Sequence, residues 1–303
     1  MDTAQIKKIS VVICTFNRAS YLKIILQKLF LQKNISNIQL QIVVVVDGST
    51  DTTYEMLASE FPTVTVVKGL GNWWWTKSLN EGIKVALSDF NPDDILILND
   101  DSLIDNDYIS KLLESSKLAG DKSIIASISV TDTKPYKVSF SGVKKTDWIT
   151  LKKQNYFPVF ELLENIPKAG LFPTYALNGR GTFVKASVIK DLGLLDEHSF
   201  PQYGSDDDLA LRAWEKGYKV LVSYSCIVYD RTSDTSKGTA LRQDGIGVFV
   251  KSFYTWSSVN YIPKQLKFYY RHGIKLLLPF YFLKFMLGTS YAYFFKYKKM
   301  KIE

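Results

Sequence analysis

Cysteine and histidine are scarce, two of each in 303 residues. Cys14 and Cys226 each lie inside an apolar run, so the chain holds no disulfide framework and no Cys/His metal cluster. They read as two inert buried thiols in a reducing compartment. His198 and His272 have no partner at ligand spacing and are expected at the surface. Met1–Lys8 lacks an apolar stretch of signal-peptide length. The expectation is therefore a cytoplasmic protein, peripheral on the inner face of the membrane. Also missing are the Gly-rich dinucleotide fingerprint and the Walker loop, which argues against ordinary NAD and ATP sites. No internal repeat and no low-complexity segment occurs, and the length suffices for one generous domain or a domain with an appendage.

Acidic residues are almost missing from one stretch. Between Ile262 and Glu303 stand nine Lys and Arg against Glu303 alone, so this tail carries the whole formal excess of +8. The body, 1–261, is neutral. A nucleic-acid partner would need a basic stripe on the folded domain, and none is expected.

The first half alternates apolar strands and amphipathic helices. Ile9–Cys14, Ile42–Val46, Val64–Val67 and Ile95–Leu98 read as strands, with a helix after a Ser20 cap and others near Asp51–Glu60 and Thr76–Leu87. That pattern argues for a parallel sheet covered on both faces. Further on, Ile124–Val130, Lys137–Val143 and Lys219–Val228 read as strands, and Ala186–Leu192 and Asp206–Lys216 as helices, Gly217 stopping the second. The segment 144–170 has no clear period and reads as a lid or partner-specific insertion.

Three loops follow three early strands: Thr15-Phe16-Asn17-Arg18, Asp47-Gly48-Ser49-Thr50-Asp51 and Asn99-Asp100-Asp101. If the strands are parallel, all three loops lie on the sheet edge where open α/β proteins bind ligands. They supply an arginine for phosphate, an acid for a ribose or base, and an acid for a divalent cation. Asn99-Asp100-Asp101 also suits a solvated turn capping a helix that begins near Asn106.

Taken in order with Asn80-Glu81-Gly82 and Asp206-Asp207-Asp208-Leu209, these motifs resemble family 2 glycosyltransferases with the GT-A fold, bacterial cell-surface polysaccharide enzymes among them. The resemblance covers roughly 9–228. It implies an α/β, Rossmann-like, mixed and mostly parallel sheet with helices on both faces; the residues beyond it read as a C-terminal amphipathic helical tail. It also implies transfer of a sugar from a UDP or dTDP donor to a hydroxyl of a glycan or lipid-linked acceptor, with inversion.

The resemblance assigns roles by position. Thr15, Arg18, Asp47, Asn80, Asn99 and Asp100 would line the donor pocket, with Gly179 and Arg180 of Asn178-Gly179-Arg180-Gly181 at the donor sugar and diphosphate. Asn99 stands where the family has the first acid of its Asp-x-Asp motif, which makes Asp101 the metal ligand for Mn²⁺ or Mg²⁺. Asp230 stands near the place where relatives carry a metal-holding His, and serves either as a further ligand or as a turn acid paired with Arg231. Asp206 falls on the general base, with Ser205 replacing the family's Glu and Asp207 beside the acceptor. Trp74 and Trp75, within Trp73-Trp74-Trp75, either pack under the sheet or contact sugar or lipid at the mouth of the site.

The expected division is a catalytic domain over 1–261 and a membrane-association tail over 262–303. Pro263 suits a first helical turn, and Lys264, Lys267, Arg271 and Lys275 share one helical face. In-plane attachment to an anionic membrane surface is the leading reading. The others are a spanning helix, opposed by Pro279 and Lys284, and packing of the tail on the catalytic domain or on a twin subunit in a homodimer. Two further functional readings share the acidic loops: a sugar nucleotidyltransferase, which usually wants a Gly-rich phosphate loop, and a non-catalytic sugar-nucleotide scaffold.

Overall fold

The computed structural model of the chain describes residues 6–231 and 245–296. A ten-stranded sheet forms its centre. The strands are β1 (Lys7–Thr15), β2 (Ile38–Asp47), β3 (Thr65–Gly69), β4 (Asp94–Asn99), β5 (Ser102–Ile104), β6 (Ser123–Thr131), β7 (Val138–Phe140), β10 (Leu171–Pro173), β11 (Thr182–Lys185) and β12 (Lys219–Asp230); β8 (Val143–Asp147) and β9 (Lys152–Asn155) form a separate hairpin. The main path runs β10-β12-β6-β11-β4-β1-β2-β3. β1 to β4, β6 and β12 run one way, and β5, β7, β10 and β11 run against them. The sheet is mixed and mostly parallel, as expected.

The continuous apolar runs of β1, β2 and β4 follow from burial on both faces. Side chains alternate across a strand, so each run feeds two cores. Val11, Ile13, Val44, Val46, Leu96 and Leu98 join the core under α1 (Ala19–Phe30), α2 (Thr53–Glu60) and α4 (Tyr108–Ala119). Val12, Val43, Ile95 and Ile97 join the opposite core, under α3 (Trp74–Val85), α5 (Ala186–Leu192) and α6 (Ser205–Glu215). Gly82 lets α3 lie close on the sheet: a Cβ there would stand 2.6 Å from Val12 Cγ1 and 2.8 Å from Val45 Cγ2.

Two boundaries differ from expectation for identifiable reasons. α1 begins at Ala19 rather than after Ser20, because the Asp51 carboxylate, on the next loop, accepts the Ala19 N–H at 3.0 Å. The strand expected over Lys137–Val143 is broken into β7 and β8 near Gly142, whose φ of +85° no strand residue adopts. Within the expected lid, 144–170, lies the antiparallel β8–β9 hairpin.

The tail folds back. It comprises α7 (Ile246–Ser252), α8 (Ile262–His272, with Pro263 in its first turn) and α9 (Leu278–Tyr291). Tyr281 is fully buried, and its hydroxyl donates to the Trp148 carbonyl at the tip of the hairpin. Phe268 packs against both Trp148 and Phe200. Half of the expected basic face is therefore engaged: Lys264 is buried and donates to the Ser258 and Val259 carbonyls, and Arg271 pairs with acids of the body, while Lys267 and Lys275 stay exposed. No helix among the described residues is long and apolar enough to cross a membrane.

Candidate active site

Thr15, Asn99 and Asp230 are the last residues of β1, β4 and β12, strands that run the same way and so end on one edge. Asp100 and Asp101 follow directly, both buried. Arg18, at the start of α1, bridges them with Nη1 at 3.1 Å from Asp100 Oδ1 and 3.1 Å from Asp101 Oδ2. The Thr15 hydroxyl donates to Asp100 Oδ2 at 2.8 Å. Burial pushes the Asp100 carboxyl up to about 6, against the pull of Arg18 and with the push of Asp101.

Asp230 joins this cluster because the pairing of β12 with β5 sets it opposite Ser102. Arg180 Nη1 lies 2.7 Å from Asp230 Oδ2, and Ser139 donates to the same oxygen at 2.6 Å. Asp230 is thus paired with Arg180, not held as a turn acid. Its carboxyl is raised by burial, opposed by Arg180 and Ser139 and reinforced by the Asp101 charge. The other oxygen, Oδ1, is buried with no hydrogen-bond partner. Among the described residues no three His, Cys, Asp or Glu side chains form a metal cluster. Mg²⁺-type sites, however, need only one or two carboxylates with substrate phosphates and water. The unpartnered Asp230 oxygen beside Asp101 fits that donor set.

A second acidic station opens α6. Asp206 is half-buried, and its Oδ1 accepts the Asp207 N–H at 2.9 Å. Its carboxyl is held well above the usual carboxylate range, first by burial, then by repulsion from Asp207, with Lys153 opposing. Lys153 reaches in from β9 and bonds Asp207 Oδ2 at 2.7 Å. Asp207 is therefore neutralised by a lysine, and Asp206 is not. Arg180 lies in the field of Asp230, Asp101 and Asp206 together and so stands between the two stations. The loop ahead of α6 is tied to α3: Thr76 donates to the Phe200 carbonyl at 2.6 Å and shares a 2.9 Å bond with Ser205.

Several of the expected site residues have partners within the protein. Asp47, expected to bind base or ribose, accepts the N–H groups of Gly71, Trp73 and Trp74 at 2.8–3.0 Å. These bonds hold Trp74 at φ +59°, a conformation costing a bulky residue on the order of 1–3 kcal/mol. Asn80, expected at the donor, is buried. Its amide bonds the Leu195 carbonyl and Glu197 Oε2, and its oxygen accepts the Leu195 N–H. It fastens α3 to the 195–197 turn. Asn99, expected as a donor contact, has its side-chain oxygen occupied by the indole N–H of Trp75 at 3.0 Å. Trp74 lies at the rim, 39% exposed and edge-on to Trp256. His272, expected at the surface, is 1% exposed and bonds Asp208 and Glu215.

Trp75 also covers Gly179. A Cβ at Gly179 would fall 2.1 Å from the indole Cζ2, an impossible contact. Gly179→Ala is therefore expected to displace Trp75, release Asn99 and weaken nucleotide binding by about tenfold, roughly the 1.4 kcal/mol of one displaced hydrogen bond and its packing. Calorimetric titration with UDP checks this, and unchanged affinity would refute the coupling. Lys153, Ser139, Arg271 and His272 were not anticipated as site residues. All four come from segments far along the chain with no local motif.

Comparison with known proteins agrees with this geometry. The family model for glycosyl transferase family 2 matches residues 10–169. No curated protein matches the sequence. Among solved structures, GalNAc-T7 with UDP, GalNAc and Mn²⁺ superposes at TM-score 0.56 and 15% identity, over 96% of this chain and 58% of its own. The chain thus spans little more than half of that protein. The mannosyltransferase PcManGT from Pyrobaculum calidifontis, in complex with GDP-Man and Mn²⁺, gives 0.55 and 15% over 96% and 82%. S. aureus TarS 1–349 gives 0.51 and 16% over 94% and 73%. At such identities these likenesses speak for the fold, and the family match, over more than half of the chain, shows that the chain belongs to glycosyl transferase family 2, with the GT-A fold.

Proposed function

We propose that the chain is an inverting glycosyltransferase moving a sugar from a nucleotide-diphosphate donor, UDP- or dTDP-linked, to a hydroxyl of a glycan or lipid-linked acceptor. The observation that carries this is the contrast between the stations. Asp100 and Asp101 are bridged by Arg18 at the sheet edge, whereas Asp206 faces no paired cation.

A single displacement needs a base on the acceptor hydroxyl opposite the leaving group. Asp206, raised by burial and by Asp207, is suited to hold that proton near neutral pH. As the proton leaves, the acceptor oxygen forms a bond to the anomeric carbon and the carbon–oxygen bond to the diphosphate breaks. Arg18 and Arg180 orient the diphosphate and face the charge that develops on it. Bound Mn²⁺ or Mg²⁺, held by Asp101 and Asp230, would supply further neutralisation of that charge. The UDP, GalNAc and Mn²⁺ with GalNAc-T7, and the GDP-Man and Mn²⁺ with PcManGT, support this reading.

The direct test is a panel of nucleotide sugars assayed for donor hydrolysis with Mn²⁺ or Mg²⁺, with calorimetry of the matching diphosphates. The anomeric configuration of the transferred sugar is then read by NMR. Binding without hydrolysis or transfer would favour the scaffold reading, and a retained configuration would remove Asp206 as base.

A pH prediction follows from the groups facing Asp206, namely Asp207, Lys153 and Arg180. The base must be ionised, so activity is lost as pH falls through its raised pKa, on an acid limb above the ordinary carboxylate range. Asp207→Asn removes the repulsion and leaves Lys153 nearby, so the limb should move to lower pH. A kcat–pH profile of both proteins checks this, and a limb that stays or moves upward would contradict it.

A further inference from the structure

We propose that the outer faces of α7 and α9 dock the protein on an anionic lipid surface and set the Asp206 station close to that surface. On α9, Phe280, Leu283, Leu287 and Tyr291 recur at helical spacing and are 47%, 55%, 62% and 57% exposed. Leu276, just ahead of the helix, is 88% exposed. The opposite face holds α9 to the body, through buried Tyr281 and through Phe285 against Phe253. On α7, Phe249 and Phe253 turn inward, while Ile246 and Val250 are exposed. Both helices therefore have a satisfied inner face and an apolar outer one. So much outward apolar surface on a globular chain marks an interaction site.

Charge selects the occupant. Lys267 on α8 and Lys275 just ahead of α9 are exposed, Lys284 lies within α9, and the sequence continues through Lys296, Lys298, Lys299 and Lys301 with no acid before Glu303. A second copy would bring an equally basic tail against this one. Anionic head groups meet those lysines with opposite charge, and acyl chains take the aromatic and leucine face. α9 has 14 residues, too few to span a bilayer of about 30 Å, so it lies in the interface.

The tail is joined to the base station by direct bonds. Arg271 and His272 bind Asp208, two residues after Asp206, and Tyr281 binds the hairpin that carries Lys153. Resting on the transferase reading for this part alone, the acceptor is then a hydroxyl presented from a lipid.

The test is co-flotation of the full chain with phosphatidylcholine vesicles with and without phosphatidylglycerol, comparing wild type with Leu283→Glu/Leu287→Glu. Both leucines are exposed, so the variant should keep its melting temperature and its donor hydrolysis. Expected are binding to the anionic vesicles only, a loss of tenfold or more in the variant, and weakening at high salt. Equal binding by the variant, or none by wild type, overturns the proposal. So does a wild-type dimer in gel filtration that the variant splits, which would make a second copy the occupant. Vesicle binding is read without any sugar, so its failure is distinguishable from failure of the transferase reading.

Discussion

Asp206→Asn should stop sugar transfer and spare nucleotide binding. The amide keeps the size of the carboxylate and can still accept the Asp207 N–H. It cannot take a proton from the acceptor, and loss of a positioned base typically costs about 10²- to 10⁴-fold in rate. Asp206 makes no hydrogen bond to Thr15, Arg18, Asp100 or Asp101, so UDP affinity in the presence of Mn²⁺ should stay within about twofold, less than the tenfold that 1.4 kcal/mol represents. The substitution also removes a half-buried charge repelled by Asp207, so the melting temperature should hold or rise. Transfer rate, calorimetry and thermal melting together distinguish this from simple unfolding. Should Asp207→Asn abolish turnover while Asp206→Asn does not, the base has been misassigned by one residue.

The second large effect is expected at Asp208. Its side chain is wholly buried and accepts from Arg212 Nε at 2.8 Å, Arg271 Nη1 at 2.6 Å and His272 Nε2 at 2.9 Å. Asp208→Ala leaves two guanidinium groups without their carboxylate, and breaking such a buried pair costs about 3–5 kcal/mol. A denaturant midpoint measures the loss; one below about 1 kcal/mol, the worth of a surface pair, would mean that water replaces the carboxylate. Burial alone would raise the Asp208 pKa, but the bonds from His272, Arg212 and Arg271 outweigh it and hold the folded value below the ordinary 3.8. A depressed folded pKa stabilises above the unfolded value and ceases to do so as pH falls through the folded one. The stability difference between wild type and variant should therefore be full above about pH 4 and shrink below it. Because the same carboxylate anchors α8, the variant should also release the tail to proteolysis before the body unfolds.

Much of the catalytic body was legible from local pattern. Runs such as Val43–Val46 and Ile95–Leu98 can only be strands buried on both faces, and parallel strands bring their following loops to one edge. That alone places Thr15, Arg18, Asp100 and Asp101 together, and the acids at 206–208 were legible as the opening of a helix. The protein partners of Asp47, Asn80 and Asn99 were not legible. Each has the polar side chain a donor pocket wants, but each meets a backbone or indole group from a segment tens of residues away. Lys153 lay in a stretch with no period, because a short exposed hairpin buries too little to impose one. His272 looked like a surface residue because its acids, Asp208 and Glu215, are more than fifty positions distant.

The amino-acid sequence alone determined the parallel strands and put one acidic cluster at a strand end and another at a helix start, since these rest on alternation, strand length and residues adjacent in the chain. Tertiary structure alone decided which carboxylate is left uncompensated. Asp206 and Asp207 are neighbours of identical chemistry, and only the fold brings Lys153 to one and leaves the other half-buried without a paired cation. It also decided that the tail turns inward at Arg271 and His272 while the outer face of α9 stays bare. Charge pairing across sixty residues depends on where the chain returns, and no local pattern encodes that return.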